Sequence, residues 1–200
     1  MKRLAVLILL CGLSIGSQAS LMIWHVGDSG TTYQQWLFNS DVNPAAPEIA
    51  QNPYDDAVAA INNTLNPTAF SWSDGVWSGS KFSLTMDIPN NPAANPSKEV
   101  LVELVYQGQI VLSWAMDNDW NDFDNMVSQD TDLGNGWKKH TDLWRIEPNP
   151  SFERVCYGFN AETGGLAAVD SVAVSTICIP EPLTMVLLML GTIALRKIKS

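Results

Sequence analysis

Histidine and cysteine are scarce in this 200-residue chain: His25 and His140 are the only histidines, and Cys11, Cys156 and Cys178 the only cysteines. A zinc cluster of interleaved Cys and His is therefore excluded, and a serine hydrolase would have two candidate bases at most. No glycine-rich phosphate loop and no internal repeat is present. Basic residues are also few away from the ends. All 21 acidic residues lie between Asp28 and Glu181, against Lys81, Lys98, Lys138, Lys139, Arg145 and Arg154, which leaves that segment near −15. Such a surface repels nucleic acid and anionic lipid and attracts cations, so no nucleic-acid partner is expected.

Long hydrophobic runs occur only at the two ends. Lys2 and Arg3 precede the apolar stretch Leu4–Leu13, and Ser17-Gln18-Ala19 supplies small residues. This is the pattern of a secretory signal peptide over 1–19, cut by signal peptidase between Ala19 and Ser20; Cys11 lies within its apolar region. At the other end Pro180-Glu181-Pro182 is followed by an uncharged run from Leu183 to Leu195, then Arg196, Lys197 and Lys199. Thirteen helical residues rise about 20 Å, short of the roughly 30 Å hydrocarbon core, but basic side chains extend the span by snorkelling. Pro182 stops the helix upstream, and Thr184 and Thr192 alone cannot make the polar face of an ordinary core helix. Residues 183–195 are therefore expected to be a membrane segment with its basic end inside.

Segment 180–200 resembles the PEP-CTERM sorting signal of bacterial envelope and secreted proteins, with Ile198 interrupting the usual basic run. The resemblance covers the tail alone. It implies export, membrane anchoring before processing near the tripeptide by the transpeptidase exosortase, and a final place at the cell surface or in an extracellular polymer matrix. It transfers no active site to the body, residues 20–179.

That body is expected to be one mainly β domain, an antiparallel β-sandwich of jelly-roll kind with one short helix. Leu21–Val26 reads as a first strand, and Thr31–Phe38 as a strand or helical turn. Asn52 as N-cap, Pro53 at the first helical position and a face of Tyr54, Val58, Ile61 and Leu65 predict a helix over 53–65. Beyond it the period becomes two: strands are expected at Ala69–Trp72 and Lys81–Ile88. Glu99–Tyr106 and Ile110–Met116 read as a hairpin joined through Gln107-Gly108-Gln109. Its two core faces would be Val100, Val102, Leu104 and Tyr106, and Ile110, Leu112, Trp114 and Met116. Trp144 and Ile146 mark a further strand, and Phe152–Phe159 and Val169–Ile177 a last hairpin. Export invites a disulfide between Cys156 and Cys178. Simple pairing of that hairpin would offset them by about 26 Å, so the bond requires a longer connection or another register.

Three features could carry chemistry. Gly27-Asp28-Ser29 is similar to the nucleophile block of GDS-type lipases, but the Asp-x-x-His partner fails because position 137 is Trp. Turn chemistry accounts for the glycines and Asp28. The acidic segment Asp117 to Asp124, followed by Asp130 and Asp132, is either a solvated loop or a Ca²⁺ site with Asp117, Asp119, Asn121 and Asp124 as ligands. Calcium is the only cofactor suggested. Trp72, Trp77, Trp120 and Trp137 lie at strand ends or in loops, where they either pack or stack on sugar rings. The function expected is a non-enzymatic surface protein binding polysaccharide. The alternatives are a carbohydrate-active enzyme, which needs two carboxylates converging in a Trp-lined cleft, and a calcium-stabilised structural protein.

Overall fold

The computed structural model describes residues 24, 27–28, 30–62, 70–90, 92, 95–163 and 165–179. The expected signal peptide and cleavage pair Ala19 and Ser20, His25, Ser29 and the whole tail (Pro180, Glu181, Pro182, 183–195, Arg196, Lys197 and Lys199) lie outside them.

The described chain forms β1 (Thr31–Trp36), β2 (Ile49–Gln51), β3 (Val58–Asn62), β4 (Phe70–Ser73), β5 (Val76–Gly79) and β6 (Lys81–Pro89). These are followed by β7 (Ser97–Gln107), β8 (Gln109–Asp117), β9 (Asp124–Gly134), β10 (Trp137–Ile146), β11 (Phe152–Asn160) and β12 (Ala167–Ile179). One sheet runs β2-β1-β12-β7-β10-β9, with β5 also on β12 and β4 on β5; the other runs β3-β6-β11-β8. Every pairing is antiparallel. The protein is mainly β, as the alternation of apolar and polar residues predicts.

The core lies between the two sheets because the period-two pattern turns one face of each strand inward. Val100, Val102, Leu104 and Tyr106 on β7 and Phe82, Leu84, Met86 and Ile88 on β6 are all buried. From β11 come Val155, Tyr157 and Phe159, from β12 Val172 and Val174, and from β1 Trp36, whose indole N–H donates to the Ala45 carbonyl at 3.1 Å.

The expected helix over 53–65 is not formed among its described residues. Val58–Asn62 is strand β3, with Ala57, Ala59 and Ile61 buried in alternation. Asn52 makes a local turn instead of a helix cap, its Oδ1 accepting from the Tyr54 N–H at 3.1 Å. The spacing of Tyr54, Val58 and Ile61 fits the helical period alone, but pairing with β6 overrides it and puts Val58 and Ile61 on opposite faces of a strand.

Both expected hairpins are corrected as well. The strands exist, but β7 and β12 belong to one sheet while β8 and β11 belong to the other. Gly108 and the 160–167 segment therefore carry the chain across the sandwich. Gly108 has φ 93°, and a Cβ there would sit 2.7 Å from the Asn160 carbonyl and 3.1 Å from Ala167 Cα. Gly108→Ala is expected to cost roughly 2 kcal/mol or more in urea unfolding, because left-handed strain and a backbone collision combine. A loss within experimental error would show that this corner can relax.

The crossing reverses the expected face of β8. Ala115 points to the core, while Leu112 is half exposed and Trp114 and Met116 are only partly buried. A register shift opposite Gly158 and Phe159 leaves Val111 as the extra residue, which lets Ile110 reach the core edge. Cys156 and Cys178 are free. They lie on opposite sheets. Cys156 faces away from the core beside Thr85, whereas Cys178 faces Asn149, with Sγ to Oδ1 at 3.3 Å.

Candidate functional site

The connection between β8 and β9 is a turn built on one carboxylate. Asp117 Oδ1 accepts from the N–H groups of Asp119 at 2.8 Å and Asn121 at 2.9 Å, and Oδ2 accepts from the Asn121 amide at 2.8 Å. Burial would raise the Asp117 pKa, but these bonds outweigh it and hold the carboxyl below the usual range. Backbone bonds close the same turn: Asp117 N–H to the Asn121 carbonyl at 3.1 Å and Phe123 N–H to the Ala115 carbonyl at 2.9 Å.

At its tip stands Trp120, 73% exposed and with φ 65°. A bulky side chain in the left-handed region costs on the order of 1–3 kcal/mol. An indole left in water adds no packing in return. Sequence reasoning named Trp120, but nothing in the sequence indicated its backbone conformation.

Two depressions flank this turn and share Asp117 and Asn118. One is a groove of about 220 Å³, lined also by Met116, Trp120, Phe152 and Arg154. The Arg154 guanidinium lies 5.9 Å from the centre of the Phe152 ring and forks onto Asp87, with Nε to Oδ1 at 2.6 Å and Nη2 to Oδ2 at 2.7 Å. The other is a polar cleft of about 680 Å³, where Asp119, Asp122, Asp124 and Glu147 face Arg145 and the 147–151 segment. No tryptophan lines it.

The other expected site residues are dispersed. Trp72 and Trp77 are partners across the β4–β5 hairpin. Trp77 is buried edge-on to Phe70 at 5.6 Å, and the Trp72 indole donates to the Phe38 carbonyl at 2.8 Å. Trp137 is half-buried at the start of β10. The four tryptophans do not share one surface. Of the candidate calcium ligands, Asp117 and Asn121 are bonded to each other and Asp124 begins β9. Among the described residues no three His, Cys, Asp or Glu side chains are grouped so as to hold a metal ion.

A buried polar network inside the sandwich had no signal in the sequence. His140 and Asp142 alternate on the inner face of β10. His140 Nδ1 is 2.7 Å from Asp130, and Nε2 is 3.0 Å from Asp142 without an aligned hydrogen bond. Asp142 also accepts from Tyr157 OH at 2.8 Å and Asn125 at 3.1 Å, and Tyr106 OH donates to Asp130 at 3.2 Å. Burial would lower the His140 pKa, but the two carboxylates raise it. A carboxylate beside each ring nitrogen favours the protonated imidazole. This network ties β9 to β10.

No family model and no curated protein matches the chain. Among solved structures, the crystal structure of the enzymatically active domain of bacteriophage CBA120 tailspike protein 4 is similar at 16% identity and a TM-score of 0.28. The match covers 72% of this chain and 19% of that chain, so the likeness reaches about a fifth of the tailspike domain's length.

Proposed function

We propose that this is an exported, non-enzymatic surface protein whose jelly-roll sandwich binds polysaccharide at the β8–β9 turn, and whose PEP-CTERM tail directs sorting by exosortase. The strand order supports the jelly-roll reading: β1-β12-β7-β10 opposes β6-β11-β8, the order of a double Greek key. One departure is that β9 pairs with β10 and not with β8, to which the β8–β9 connection adds a single bridge, Met116 to Asp122.

Trp120 carries the binding reading. A strained backbone and an exposed indole are costs that a stacked pyranose ring would offset, and Phe152 and Met116 extend the apolar surface beside it. Carboxylates and amides next to that surface suit sugar hydroxyls. Because Arg154 is already paired with Asp87, neutral glycans fit better than acidic ones.

Two substitutions separate binding from folding. Trp120→Gly should leave the protein as stable or up to about 1 kcal/mol more stable, since glycine accepts a positive φ. It should also weaken binding of neutral linear oligosaccharides by at least about tenfold in calorimetry. Equal affinities for wild type and variant would remove this surface from the proposal. The enzymatic alternative rests on the five carboxylates of the polar cleft, and its test is glycan turnover in Asp122→Asn and Glu147→Gln.

A further inference from the structure

Three residues, Pro180 to Pro182, separate the end of β12 at Ile179 from the apolar run that begins at Leu183. Strand registers fix where that exit lies. Ile179 pairs with Ser97 at the start of β7, Lys98 with Ile146 at the end of β10, and Arg145 with Asp124 at the start of β9. Across the core Lys98 meets Glu153, which pairs with Asp117 at the end of β8. Cys178 Sγ lies 3.3 Å from Oδ1 of Asn149, a residue of the polar cleft. The chain therefore leaves the sandwich at the end that carries the cleft and the Trp120 turn.

With 183–195 in a bilayer, that end has little room beneath it. Three extended residues reach at most about 11 Å. The run itself, about 20 Å as a helix, is shorter than the roughly 30 Å hydrocarbon core, so it has no slack with which to lift Leu183 clear of the surface. The headgroup layer takes up roughly 5–7 Å of the reach and leaves a gap on the order of 5 Å. A sugar ring stacked on an indole needs van der Waals contact of about 3.5–4 Å on both of its faces, so a polymer chain does not fit. Charge does not close this gap, since Asp28, Asp119, Asp122, Asp124 and Glu147 at this end repel an anionic leaflet. The short connection does.

We propose that the tail gates the binding site: with 183–195 in the bilayer the Trp120 turn and the cleft face the headgroups, and loss of the tail opens them to polysaccharide. The inference rests on Trp120 as the glycan contact and on 183–195 as a membrane segment. Sorting and binding then occur in sequence, because the site meets the matrix only once the chain has left the membrane.

The test compares two full-length chains in phosphatidylcholine vesicles, whose neutral surface removes the charge repulsion. One is the native sequence. The other carries a Gly/Ser insert of about 20 residues between Ile179 and Pro180, which adds a root-mean-square reach of about 25 Å. Brominated phosphatidylcholine should quench the Trp120 share of the emission, read as the difference from Trp120→Gly, in the native chain and not in the extended one. Hydroxyethylcellulose, a soluble neutral polymer, should bind the extended chain at least about tenfold more tightly. Equal quenching, or equal affinities that Trp120→Gly weakens alike, overturns the gate and leaves Trp120 as the glycan contact. Binding to the extended chain that Trp120→Gly does not change, or no binding by either chain, overturns that reading and the gate with it. A native chain that does not float with the vesicles has no membrane segment and overturns the gate alone.

Discussion

Lys98→Met should destabilise the protein by about 3–5 kcal/mol in urea unfolding, a large share of the total stability of an ordinary domain. Lys98 on β7 and Glu153 on β11 form an ion pair that joins the two sheets through the core, and both side chains are 0% exposed. Burial lowers the lysine pKa against the pull of Glu153 and raises the glutamate pKa against the pull of Lys98. Each charge is tolerable only because the other is there. Removing the ammonium strands a carboxylate among apolar neighbours, and Glu153 Oε2 already lacks a hydrogen-bond partner. The double variant Lys98→Met, Glu153→Leu should recover most of the loss, since apolar replacement of a buried pair is often neutral or stabilising. A single-variant loss below about 1 kcal/mol, the range of exposed pairs, would show that water reaches the site.

The same pair shows where the sequence stops being legible. Lys98 occupies the inward phase of a strand whose other inward residues are Val100, Val102, Leu104 and Tyr106, and alternation marks that phase correctly. Nothing local indicates that its partner is 55 residues away on the opposite sheet. Strand existence was readable for β6, β7, β8, β11 and β12 because burial on one face imposes period two. Strand pairing was not, since a short glycine connection can close a hairpin or cross a sandwich with the same residues. Gly108 crosses because Asn160 and Ala167 pack against it, a contact between distant segments. The inverted face of β8 follows from that error, as an edge strand with apolar residues on both sides leaves the inward direction open.

β9 was missed for a different reason. Asp124–Gly134 is exposed along nearly its whole length, so no alternation marks it, and its carboxylates resemble those of a solvated loop or calcium site. Its pairing with β10 and the links from Asp130, Ser128 and Asn125 to the buried His140 and Asp142 make it a strand. The acidic segment thus divides at Phe123, with a turn presenting Trp120 before it and an edge strand after it. The Trp120 turn and the interior network are two ends of one stretch of chain. Trp120 was within reach of the sequence as a residue type, but the left-handed backbone that singles it out from the other tryptophans emerges only from the fold.

Asp142→Asn should lower stability by roughly 2–4 kcal/mol near pH 6 and should change how stability depends on pH. Burial would raise the Asp142 pKa, but the nearby His140 imidazole and hydrogen bonds from Ser128, Tyr157 and Asn125 hold it below its usual value. Its contribution is therefore present above about pH 3.9 and is lost as pH falls through the depressed folded value. His140 works in the opposite sense. Its folded pKa is raised, so its contribution is complete below about pH 6.5 and is lost as pH rises through the folded value. Tyr106 and Tyr157, the two phenols of the network, are held protonated by burial first and then by Asp130 and Asp142, so they do not titrate in this range. Wild type should accordingly be most stable between these flanks, with β9 losing its hold on β10 as His140 gives up its proton. In the variant, His140 keeps only Asp130, which is about half exposed. The alkaline decline should shrink, and the gap between the two melting curves should be widest from about pH 4 to 6.5 and narrow toward pH 9. Parallel curves across that range would mean that His140 is neutral in the folded protein and that Asp142 acts only as a hydrogen-bond acceptor for Tyr157 and Asn125.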